Sequence, residues 1–81
     1  MHEMGIASSI LEATRKEAAR HRARPARVCV RLGEWAGVDT ESLRFCFEAL
    51  VAGTDQAGLQ LEIDYREQAA DLDLAYVELE D

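Results

Sequence analysis

Eighty-one residues, of which 48% are hydrophobic and 31% charged, describe one small folded domain and exclude a disordered chain. No apolar run approaches the ~18 residues that a bilayer-spanning helix needs, and acidic Glu3 and Glu12 stand where a signal peptide would be basic and then apolar, so a cytoplasmic chain with no membrane partner is expected. The net charge of −7 is unevenly shared, with seven basic and three acidic residues in 1–33 against two basic and thirteen acidic in 34–81; without aromatics among the arginines this excludes nucleic acid as a partner.

Residues 3–21 are predicted to form a helix, because Met4, Ala7, Ile10, Leu11, Thr14 and Ala18 recur at steps of three and four and share one face. The residue before Pro25 is pushed away from helical angles, so Arg24-Pro25 breaks it. Residues 26–33 alternate as a strand, with Val28, Val30 and Leu32 on one face and Arg27, Cys29 and Arg31 on the other. That register places Cys29 on the arginine side, more exposed than Cys46. Gly33 ends the strand and a glycine-bounded loop follows to Val38. Asp39 or Thr40 then caps a second helix over about 40–52, whose Leu43, Cys46, Phe47 and Leu50 face the core, and Gly53 stops it.

Leu59, Leu61, Ile63 and Tyr65 alternate through a strand at 58–66. Residues 72–80 alternate with a slip in phase: Leu72 and Leu74 hold one phase, Val77 and Leu79 the other. A one-residue bulge near Ala75-Tyr76 would return all four to one face. The five residues between the two strands, 67–71, are a length suited to a hairpin. The expected architecture is an α/β (α+β) domain over 1–81 in the order α-β-α-β-β. Two helices would pack on one face of a three-stranded mixed sheet, with the last two strands paired antiparallel.

Little in the chain suggests an enzyme. It has no glycine-rich phosphate loop, no glycine elbow around a serine, and only His2 and His21 to serve as a base. Cys29 and Cys46 form no C-x-x-C pair and are expected as reduced, apolar side chains rather than zinc ligands. His2 differs, because beside the chain terminus its imidazole, its backbone amide and the Met1 α-amine can close fused chelate rings around one ion. The Glu3 amide or carboxylate lies within reach as a further donor. Such nitrogen-rich, square-planar coordination suits Ni(II) or Cu(II) over Zn(II).

The opening Met1-His2-Glu3-Met4-Gly5-Ile6-Ala7 is similar to the start of the HypA family of hydrogenase and urease nickel-insertion proteins. So is Val30-Arg31-Leu32-Gly33-Glu34-Trp35-Ala36-Gly37-Val38, which looks like the family's strand and "GE-x-x-GV" segment. Residues 43–54, LRFCFEALVAGT, resemble its "L-x-F-x-F-x-x-L-x-x-GT" helix, and the final strand is similar as well. The resemblance implies a nickel metallochaperone that holds Ni(II) at Met1, His2 and Glu3. It further implies work with a HypB-type GTPase and a hydrogenase large subunit, by a monomer or weak homodimer. It departs from the family in one place: the zinc domain with two C-x-x-C pairs, expected between the last two strands, is replaced by about five residues, so no zinc is expected. The competing expectation is a metal-free adaptor that keeps the fold and a partner surface but not metal delivery.

Overall fold

The computed structural model describes residues 2–80; Met1 lies outside the described residues. Helix α1 runs Glu3–Arg20, strand β1 Pro25–Gly33, helix α2 Thr40–Val51, strand β2 Gln60–Arg66 and strand β3 Leu72–Leu79, with one 3-10 turn over Glu34–Ala36. The predicted α-β-α-β-β order and the two-helix, three-stranded mixed sheet are those observed. The last two strands do not pair, however. The sheet order is β2-β1-β3, with β1 central, parallel to β2 and antiparallel to β3. Alternation along a strand states which face a side chain occupies, not which strand lies beside it, and a five-residue link fits a crossing as well as a hairpin.

The crossing takes place over the end of β1. Gly33 is opposite Arg66, the last residue of β2, while Leu32 is opposite Leu72, the first of β3. The link 67–71 must therefore pass over Gly33. It is held there by the Gly33 N–H donating to the Asp71 carbonyl (2.7 Å) and the Trp35 N–H donating to Ala69 (2.8 Å). The Gln68 N–H donates to Glu34 Oε1 (2.9 Å), and Gln68 itself takes a left-handed φ of 55° to make the turn. A β-carbon on Gly33 would collide with the backbone carbonyl of Ala69 and lie 2.7 Å from the Asp71 nitrogen. The close approach of two backbones explains why glycine stands there.

Both helices cover one face of the sheet. Ala7, Ile10 and Leu11 of α1 and Leu43, Phe47 and Val51 of α2 pack on Val28, Val30 and Leu32 of β1, with Leu59 closing the end. Met4, expected on the buried face of α1, is exposed, because it lies in the first turn of the helix, ahead of Ala7 where the core begins. Helix α1 ends at His21 and Arg22 before reaching Pro25. There the Ala23 N–H reaches back to the Ala18 carbonyl and the Arg22 N–H to Ala19, with Arg22 left-handed at φ 52°. Asp39 is the cap of α2, its Oδ1 accepting from the Ser42 N–H at 3.1 Å, and Gly53 at φ 74° follows its end. The predicted bulge is present: Cys29 is opposite Tyr76 but Val30 is opposite Leu74, leaving Ala75 as the extra residue.

The cysteines reverse their expected exposure. Cys29 is 4% exposed and Cys46 is half-buried against the core. Cys29 sits on the central strand, flanked by Glu62 and Tyr76 on either side, and these longer side chains cover it on the open face. Cys46 lies at the margin of the helix–helix seam rather than at its centre.

Candidate metal centre

The two helices run in the same direction. The first turn of α1 meets Asp39 just before α2, and Arg24, beyond the end of α1, donates to the Asp55 carbonyl beyond the end of α2. Both helix N-termini, with their positive dipole ends, therefore face one end of the molecule. His2 stands there as the residue preceding α1, exposed, with φ −95° and ψ 96° and its imidazole making no capping hydrogen bond. Its carbonyl accepts the first helical hydrogen bond, from the Ile6 N–H at 3.2 Å. The amides of His2 and Glu3 lie upstream of that bond, among the N–H groups a helix start leaves without an intrahelical acceptor.

Glu3 is placed differently from His2. Its Oε2 accepts from the Asp39 N–H at 3.2 Å, which ties the first turn of α1 to the cap of α2. The carboxylate named as a possible ligand thus has a structural contact already, while the Glu3 backbone nitrogen does not share it. A shallow cleft beside these residues is lined by His2, Glu3, Met4, Glu41, Phe45 and Cys46. Among the described residues no three His, Cys, Asp or Glu side chains are gathered as a side-chain metal site would require. Cys29 and Cys46 stand on different elements, one covered on the open face of the sheet and the other beside this cleft, and so do not fit a thiolate zinc cluster.

Sequence periodicity does not reveal the polar lattice on the open face of the sheet. Arg31 pairs with Asp73 at 3.0 Å, and that hydrogen bond holds the Asp73 carboxyl below the usual range. Tyr76 donates to Glu62 at 3.0 Å, which raises the phenol above its ordinary value. Burial, then the Glu62 charge, pushes the Cys29 thiol up, away from the thiolate that a metal or an electrophile would need. His21, at the far end of α1, is joined to Glu17 at 3.1 Å and lies apart from the terminus.

The family profile "Hydrogenase/urease nickel incorporation, metallochaperone, hypA" matches residues 1–71. A hydrogenase maturation factor HypA from Azotobacter chroococcum mcd 1 is 45% identical over 64 residues, covering 78% of this chain and 57% of that protein. One from Chlorobium limicola is 46% identical over 65 residues, covering 79% and 56%. The chain thus spans little more than half the length of these curated relatives. The fold is similar to the solution structure of the Ni metallochaperone HypA from Helicobacter pylori, at a TM-score of 0.72 and 20% identity over 94% of this chain and 72% of that one. With a profile match over most of its length and an architecture to agree, the chain belongs to the HypA family of hydrogenase/urease nickel-incorporation metallochaperones.

Proposed function

We propose that this chain captures Ni(II) as cargo at Met1-His2-Glu3, through the Met1 α-amine, the His2 amide and the His2 imidazole, with the Glu3 backbone nitrogen as the further donor. The observation that carries this reading is the position of the first helical hydrogen bond. Because Ile6 is the first N–H used by α1, the His2 and Glu3 amides can lose their protons without breaking any helical bond. An amide that has lost its proton is an anion, and the positive end of the helix dipole favours it there. The Glu3 carboxylate then acts as a positioning group through Asp39 rather than as a ligand.

Delivery into hydrogenase or urease maturation, with a HypB-type GTPase and a hydrogenase large subunit as partners, follows from family membership. The chain is one nickel-binding domain in which the link 67–71 stands where the family's zinc domain would be inserted; the link enters and leaves at the same end of the sheet, which supports such a substitution. No described helix is long and apolar enough to cross a membrane.

The test is a Ni(II) titration of untagged protein at pH 7.5, repeated with His2→Ala. Wild type should bind one ion, His2→Ala should lose it, and binding should strengthen as pH rises because amide and amine must deprotonate. Equal binding by His2→Ala, or none by wild type, would sink the reading and leave the metal-free adaptor.

A further inference from the structure

Two independent observations mark the cleft at the end of the molecule that presents the helix N-termini. First, large apolar side chains are left uncovered there. Phe45 is 72% exposed on the outer face of α2 and Met4 is 47% exposed on the first turn of α1, and the two line the same cleft. Second, the lining of that cleft is acidic: it carries Glu3 and Glu41 and no lysine or arginine. On the sheet face Asp64 pairs with Arg66, Asp73 with Arg31, and Glu62 and Glu78 with Arg27, and at the opposite end Glu80 pairs with Arg24. Among the described residues neither Glu3 nor Glu41 forms an ion pair, in contrast to those carboxylates on the sheet face. The basic residues at the close of α1 lie a helix length away, ~27 Å for its 18 residues and well beyond the ~8 Å screening length at physiological salt, and Arg44, one turn beyond Glu41, is turned to the Leu61 carbonyl.

We infer that the Met4–Phe45 cleft is a docking face for a protein segment of opposite character: a large apolar side chain flanked by lysine or arginine. The apolar anchor seats between Met4 and Phe45, and its basic neighbours meet Glu3 and Glu41. A second copy of this chain presenting the same face would set carboxylate against carboxylate, which charge disfavours. The cleft also includes His2, so a segment seated in it lies beside the proposed nickel terminus. This docking stands apart from nickel capture, because neither Phe45 nor Glu41 belongs to the proposed ligand set.

The experiment uses the whole, metal-free chain labelled with nitrogen-15 and two synthetic peptides, one alternating lysine with leucine and its glutamate–leucine counterpart. The lysine peptide should perturb the amides of Met4, Glu41, Phe45 and Cys46 first, the glutamate peptide should leave them unmoved, and 0.5 M salt should weaken binding. Phe45→Ala, which removes an exposed side chain and leaves the core intact, should weaken binding by about tenfold, and Glu41→Gln by less. No binding, perturbation centred on the open face of the sheet, or an unaltered affinity for Phe45→Ala would each overturn the proposal. So would sedimentation showing a dimer of the free chain that Phe45→Ala dissolves, since the occupant would then be a second copy. Because no metal is present, such a failure leaves the nickel reading where it stood.

Discussion

The crossing over Gly33 and the terminus at His2 lie at the same end of the fold and are built on opposite terms. At Gly33 two backbone segments approach so closely that a β-carbon has no room, and hydrogen bonds on both sides fix the link. At His2 the backbone makes one helical contact through its carbonyl, and among the described residues neither the imidazole nor the amide has a hydrogen-bond partner. The topology is therefore secured by a site that tolerates almost no change. The donors proposed for cargo sit on a segment whose alteration costs the fold little. Separating the two lets chemistry at the terminus vary without endangering the sheet.

Replacing Gly33 by valine should break this contrast most forcefully. The added side chain meets the backbone of Ala69, so the link must leave the end of β1, at a cost of roughly 4 kcal/mol or more in urea unfolding. A variant as stable as wild type would show that the crossing is not as close as described. Phe47→Ala, in the centre of the helix–sheet core, sets the scale for an ordinary core loss at about 3–5 kcal/mol in the same assay. Asp39→Ala removes the cap of α2 and should cost about 1 kcal/mol. It should also loosen the first turn of α1 only slightly, because the contact to Glu3 uses the Asp39 backbone N–H, which alanine retains.

The open face of the sheet gives a smaller, pH-dependent effect. The Asp73 carboxyl lies below its unfolded value in the folded state, so its contribution is present above the unfolded carboxylate range and is lost as pH falls through the folded value. The Tyr76 phenol lies above its unfolded value, so its contribution is full below the unfolded phenol range and is lost as pH rises through the folded value. Denaturation midpoints for Asp73→Asn should fall less between pH 6 and pH 2 than those of wild type, and Tyr76→Phe should flatten the loss above pH 10. The smallest change is expected from His2→Ala, less than about 0.5 kcal/mol in stability, although the same variant loses nickel. A large loss of stability in that variant would remove the distinction between the two sites.

Residues whose environment follows from their own element were legible in the sequence. The core triplet Val28, Val30 and Leu32 was set by alternation, and the phase slip between Leu74 and Val77 placed a bulge near Ala75-Tyr76, which the register narrows to Ala75. What depended on neighbours far along the chain was not legible. Nothing in Cys29 or its flanking arginines announces that Tyr76 and Glu62 arrive from two other strands to cover it. The same holds for β3, whose place beyond β1 rather than beside β2 is decided by the passage over Gly33. At the candidate site His2 could be singled out from its position in the chain, whereas the engagement of Glu3 with Asp39 joins residues thirty-six apart and required the packing of two helices.

The extra residue at Ala75 also bears on how the protein behaves at high concentration. With β1 in the centre, both β2 and β3 are outer strands, each carrying backbone groups that another chain could extend. On one side the Arg44 guanidinium donates to the Leu61 carbonyl at 2.9 Å and occupies an acceptor of β2. On the other, the bulge interrupts the even spacing of β3 in mid-strand, so that a flat incoming strand meets matching donors and acceptors for only a few residues. One arginine and one alanine thus leave each margin of the three-stranded sheet a poorer template for an added strand.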